Sequence, residues 1–287
     1  MRWRGGRMSR NVIDARRSGG GGRRLAVGGG GSLALVLLVV GGLFLGVDLT
    51  PLLGGQGGTV APAPQARGIT AADEERARFA ATVLAFTEDV WRDVYPAQTG
   101  RPYRDPELVM FTGAVGSACG GASAATGPFY CPADGRAYLD TDFFVALERR
   151  FGAPGDFAAA YVIAHEIAHH VQNLEGILGE VQQLQARSGP AEANALQVRV
   201  ELQADCLAGV WAHHAERRQR ILDPGDFEEA LRAARAIGDD RLAEEAGRAV
   251  RPHTFTHGTS AQRSRWFAVG FEGGEMAACD TFGARTL

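Results

Sequence analysis

The stretch Ala164-His165-Glu166-Ile167-Ala168-His169-His170 decides how this chain is read. It lies in a segment, residues 157–172, whose apolar pattern predicts a helix. On that helix His165 and His169, four residues apart, project from one face a single turn apart, so their imidazoles can share one metal ion. Glu166 is rotated about 100° from His165, which places a carboxylate beside the metal without making it a ligand, the position of a general base. H-E-x-x-H on a helix is the spacing that zinc hydrolases use. The plain alternative is three polar residues on a solvated face. Against it stands the preceding run Phe157-Ala-Ala-Ala-Tyr-Val-Ile-Ala, which predicts a buried helix, where an unpartnered carboxylate would be costly.

Downstream, Pro190 suits the first turn of a second long helix over residues 191–218. Glu201 and Asp205 are again four apart and share a face. A catalytic zinc takes three protein ligands and keeps one position for water. Glu201 is therefore the expected third ligand beside His165 and His169, with one zinc ion per chain. Asp205 is expected to accept the ring N–H that a ligating histidine does not give to metal. The alternative leaves both carboxylates solvated on an amphipathic helix.

Around these helices the pattern predicts an α+β domain, mostly helical with a small sheet. A helix is expected over residues 71–95, and a short apolar run follows at Leu108–Phe111. Two strands, residues 128–131 and 136–140, are joined by Pro132-Ala-Asp-Gly, and a helix follows over 141–150. Asp156 can cap the His165 helix. Thr259-Ser-Ala-Gln262 reads as a capping box opening a last helix, with His257 just before it. His170, His213, His214 and His253 are read as structural or surface residues.

The amino-terminal part reads differently. Arg2, Arg4, Arg7, Arg10, Arg16, Arg17, Arg23 and Arg24 are opposed only by Asp14, which predicts a disordered basic tail over residues 1–24. Residues 25–47 carry no charge and are long enough for a membrane-spanning helix. The arginines before it predict a cytoplasmic amino terminus and an extracytoplasmic domain, single-pass in the cell membrane. A cleaved signal peptide would have a shorter apolar core, and a buried core helix would not start on Gly28–Gly31. Residues 48–70, rich in Gly and Pro, read as a flexible linker, leaving 71–287 as the catalytic domain. Cys119, Cys131, Cys206 and Cys279 then lie in an oxidising compartment and suggest two disulfides. Three connectivities are possible, with Cys119–Cys131 and Cys206–Cys279 favoured. A net charge of −3 gives no sign of a nucleic-acid partner.

With its H-E-x-x-H followed by Glu-x-x-x-Asp, the chain resembles the gluzincin metallopeptidases. More narrowly, it resembles the bacterial putative neutral zinc metallopeptidase family. The segments that carry the likeness are Met1-Arg-Trp-Arg, the run from Gly127 to Asp134, His165–Gln172, Glu201-Leu-Gln-Ala-Asp-Cys-Leu-Ala-Gly-Val-Trp and Thr256-His-Gly-Thr-Ser-Ala-Gln-Arg. The resemblance implies a membrane-anchored zinc peptidase acting on peptide or protein substrates. By analogy it also implies that His257 holds the oxyanion and that an extended peptide pairs with a sheet edge, here expected at residues 136–140. The rival expectation is a catalytically inactive zinc-binding scaffold of the cell envelope, which an intact Glu166 argues against.

Overall fold

The computed structural model describes residues 1–16, 68–123 and 126–287. Strand β1 (Val12–Asp14) comes first, followed by helix α1 (Ala71–Thr99) and strands β2 (Glu107–Phe111), β3 (Ala114–Ser117), β4 (Gly120–Ser123), β5 (Phe129–Cys131) and β6 (Arg136–Asp140). Helices α2 (Phe143–Arg149), α3 (Asp156–Glu175), α4 (Ile177–Gln185), α5 (Pro190–Gln219), α6 (Asp226–Ala236), α7 (Asp239–Glu245) and α8 (Ser260–Gly273) complete the order. The mostly helical α+β class is thus observed. Both expected strands, the capping box at Thr259 and the disulfides Cys119–Cys131 and Cys206–Cys279 are present.

Helix α3 is the axis of the core. Every residue from Phe157 to His165 is buried, because α1, α5 and α6 pack around it while the sheet covers the remaining side. Asp156 does not cap α3 as expected. It is itself the first helical residue, and the N–H of Phe157, in the unpaired first turn, donates instead to Glu229 Oε2 at 3.1 Å. The other end stops at Gly176, whose left-handed φ of 84° turns the chain into α4.

Helices α5 and α8 approach until their backbones touch. A Cβ at Gly270 would stand 1.8 Å from the Cys206 carbonyl oxygen, and one at Gly209 would stand 2.1 Å from that of Phe267. Only glycine allows this approach, and it sets the start of α8 beside the carboxylates of α5.

The sheet runs β1-β2-β6-β5, with β1–β2 and β2–β6 parallel and β6–β5 antiparallel. Its period of two sends Leu108, Met110, Tyr130, Ala137 and Leu139 into the helical core. Val109, Phe111, Cys131 and Tyr138 face the other way, packed against Val115 and Cys119 of the β3–β4 hairpin region. The Cys119–Cys131 bond therefore ties that hairpin to β5. Residues 136–140 are not the free edge expected of them. They form β6, which lies between β2 and β5, and β5 is the edge strand on that side. Parallel pairing of β2 with β6 joins segments distant in sequence, so no local pattern signals it.

The largest correction concerns the amino terminus. Residues 1–16 are not a disordered tail; they cross the domain as an ordered strap ending in β1. Their composition lacks apolar periodicity, and their order comes from partners elsewhere. The Met1 ammonium lies 2.5 Å from Asp156 Oδ1 and 3.3 Å from Asp226 Oδ2, in an acidic cluster completed by Glu229. The domain expected over 71–287 thus includes the strap. The proposed spanning segment 25–47 lies outside the described residues, and so does most of the proposed linker. Among the described residues no helix is long and apolar enough to cross a membrane.

Candidate metal centre

Two turns of α3 and one turn of α5 face each other at the centre of the domain. His165 Nε2 lies 3.1 Å from Glu201 Oε2, and His169 Nε2 lies 3.5 Å from the same oxygen. The two imidazoles stand edge to face with centroids 4.7 Å apart. The structure thus brings together the three side chains expected to hold a metal. Tetrahedral coordination at zinc–nitrogen and zinc–oxygen bonds of about 2.0 Å separates neighbouring donors by about 3.3 Å. The two observed separations bracket that value.

Charge points the same way. Among the described residues, the fixed cation opposed to Glu166, Glu201 and Asp205 at this site is Arg263. That leaves two negative charges in a region where burial penalises them, the deficit one divalent cation neutralises. Without a cation, protons make up the difference. Burial lowers the His165 pKa, but Asp205 and Glu201 outweigh it and raise the imidazole to about 10. Burial likewise raises Glu201, and the His169, His257 and His165 rings pull it well below the usual carboxylate range.

Each of the two imidazoles is fixed from behind. His165 Nδ1–H donates to Asp205 Oδ1 at 2.9 Å, leaving Nε2 as the donor atom toward a metal. Asp205 is fully buried. Arg263 grips it through Nε to Oδ2 at 2.8 Å and Nη2 to Oδ1 at 2.9 Å, and the Tyr161 hydroxyl adds a hydrogen bond at 2.5 Å. Burial raises the Asp205 pKa, yet Arg263 and then His165 bring it down to about 2, so it stays ionised. His169 Nδ1–H donates to Gln172 Oε1 at 2.8 Å, and Gln172 Nε2 continues to the Val200 carbonyl and to Gln203. Glu201 Oε1 accepts from Gln197 at 2.8 Å. Asp205 thus stands against the His165 ring N–H, where it was expected, while the spacing gave no sign of Tyr161, Gln172 or Arg263. Gln172 and Arg263 close two of the segments that carry the family likeness, and a polar residue one turn from His169 was the available signal.

Glu166 is half-buried and lines a small cavity with Leu108, Pro128, Ala137, Tyr138, Leu139 and Ile163. Burial raises its pKa, and the His169 and His165 rings lower it by less. A carboxylate so shifted sits nearer the range in which a base exchanges protons at neutral pH. Pro128 and Tyr138 place this cavity beside β5 and β6.

His257 reaches the site from the turn before α8. Asp239 Oδ2 accepts the backbone N–H groups of Thr256, His257 and Gly258 at 2.8, 2.6 and 3.0 Å, which fixes the turn. Asp239 Oδ1 lies 3.5 Å from His257 Nδ1. Desolvation lowers the His257 pKa, and Glu201 and Asp239 raise it by more, so the ring is biased toward its charged form. The imidazole remains 42% exposed. His170 faces away from the centre: its Nδ1 accepts from the Tyr130 hydroxyl and its Nε2 donates to the Arg104 carbonyl.

The sequence model of the family described as putative neutral zinc metallopeptidase matches residues 1–282. The uncharacterized protein YpfJ of Escherichia coli K12 is 48% identical over 289 residues, covering 99% of both chains. The uncharacterized proteins Mb2605 of Mycobacterium bovis and Rv2575 of Mycobacterium tuberculosis are 46% identical over 208 residues. That alignment covers 69% of this chain and 68% of each relative. No solved structure matches.

Proposed function

The chain belongs to the putative neutral zinc metallopeptidase family, and from that premise we propose that it is a zinc-dependent peptidase of the gluzincin type that hydrolyses peptide bonds. The observation that carries the reading is the convergence of His165, His169 and Glu201 on one point with Glu166 alongside. Zinc, when bound there, supplies Lewis acidity that polarises a carbonyl and makes water acidic near neutral pH.

The chain's own residues do the rest. Asp205 and Gln172 orient the His165 and His169 rings through their Nδ1 atoms, so that each presents Nε2 to a metal. Glu166 takes the proton of the attacking water and delivers it to the leaving amine. The charged form of His257 donates to the oxyanion that develops on the substrate. An extended peptide adds to the free edge of β5, which runs beside the Glu166 cavity. The two disulfides favour action in an oxidising compartment.

Glu166→Gln in the full-length protein tests this. Zinc content, measured by atomic emission, should stay at one per chain, while cleavage of a fluorogenic peptide library falls by about 10²–10⁴. Equal cleavage by both forms removes Glu166 as the base. Zinc bound with no cleavage by the unaltered protein makes the domain a scaffold.

A further inference from the structure

Four of the arginines that read as a cytoplasmic signal, Arg2, Arg4, Arg7 and Arg16, are paired within the domain. Arg2 pairs with Asp223, Arg4 with Glu75, and Arg7 with both Glu88 and Asp89. Arg16, with a side chain 2% exposed, binds Asp14, the Asp73 carbonyl and Glu74. The strap is also built into the sheet. β1 pairs with β2 in the register Val12↔Leu108, Ile13↔Val109 and Asp14↔Met110. The Leu108 amide donates to the Asn11 carbonyl and the Ala15 amide to that of Met110. Further back, the Ser9 amide donates to the Ala81 carbonyl, and Trp3 meets Phe79 edge to face at 5.2 Å.

Glu88 shows what the domain would lose without the strap. Its carboxylate is 1% exposed and receives the Ser9 hydroxyl, the Asn11 amide at 2.8 Å and Arg7 at 3.0 Å. Its remaining ion pair is with Arg92 at 3.8 Å. A carboxylate buried in this way is stable only with its partners present.

We infer that residues 1–16 are a tethered ligand of an acceptor groove formed by α1 and β2, and that strap and metal centre occupy the same side of the membrane. Arg16, the last described residue of the strap, grips Asp73 and Glu74 at the start of α1. The two ends of the intervening segment therefore meet at one place on one face. A single crossing between residues 16 and 68 would put them on opposite sides and undock the strap. This inference does not rest on the peptidase reading.

The test uses the full-length chain in spheroplasts of an expressing bacterium, with Met8→Cys or Leu184→Cys as separate probes, both at exposed positions. A membrane-impermeant maleimide should label the two to the same extent before lysis, or both only after it. Labelling from opposite sides overturns the inference. In parallel, hydrogen exchange on the purified full-length protein should show the amides of Ser9 and Ala15 slowed relative to an unstructured peptide. Exchange at the unstructured rate shows an undocked strap and also overturns it.

Discussion

His165 and His169 occupy adjacent turns of one helix and point at one carboxylate, yet they are held in opposite ways. Behind His165 stands an ionised chain of Asp205, Arg263 and Tyr161, with all three side chains buried. Behind His169 stands a neutral one, in which Gln172 passes its hydrogen bonds to Val200 and Gln203, and Gln203 passes one to Cys279. A charged support makes its imidazole more basic and fixes it more firmly, but buried charges are tolerable only as a complete set. Amides form weaker bonds and leave less behind when one is lost. The difference teaches that two imidazoles in equivalent positions of one helix need not be equally fragile.

Asp205→Asn should break the charged side hardest. It keeps the shape but leaves the Arg263 guanidinium, buried at 2% exposure, without its counter-charge. Losing one partner of a buried pair costs about 3–5 kcal/mol. The same change should weaken zinc binding by about 10- to 100-fold through the freed His165 ring. Thermal melts and a zinc titration read the two effects separately. If this variant is no worse than one on the amide side, the contrast between the two supports is wrong.

Gln172→Leu is that second variant. It removes the acceptor of His169 Nδ1–H and the donors to Val200 and Gln203. The cost should be about 1–3 kcal/mol, that of leaving neutral buried partners unmet. Zinc affinity should fall by less than in Asp205→Asn, and the same melts and titration rank the pair.

The two supports also differ in how far they could be read in advance. A helical period turns sequence spacing directly into geometry, so His165, His169, Glu201 and Asp205 were legible from intervals of four. Gln172, three residues beyond His169, obeys the same arithmetic, but a glutamine there carries no chemical signal of its own. Arg263 reaches Asp205 across 58 residues of chain, through an approach of α5 and α8 that depends on Gly209 and Gly270. No window along the sequence contains both ends of that contact. The strap failed for a related reason. Its arginines read as free charge because Glu75, Glu88, Asp89 and Asp223 are distant in sequence, and β1, at three residues, is too short to show a period. What was legible was local and periodic, whereas the unread part depends on which elements lie side by side.

The same comparison is sharpened through pH. In protein stripped of metal by a chelator, Asp205 and Glu201 outweigh burial and raise the His165 pKa from 6.5 to about 10. The folded state therefore binds a proton that the unfolded chain releases at lower pH. That stabilisation is complete below the unfolded value and is lost as pH rises toward 10. The melting temperature of the stripped protein should fall across this window. Arg263 does not titrate there and works against the imidazolium, so the trend belongs to the two carboxylates. Zinc needs His165 neutral, so the loaded protein should lose the downward slope and bind metal more tightly as protons are withdrawn. Asp205→Asn should flatten the slope of the stripped protein, whereas Gln172→Leu should leave it in place. An equal slope in both variants would mean that the ionised support does not set the basicity of its histidine.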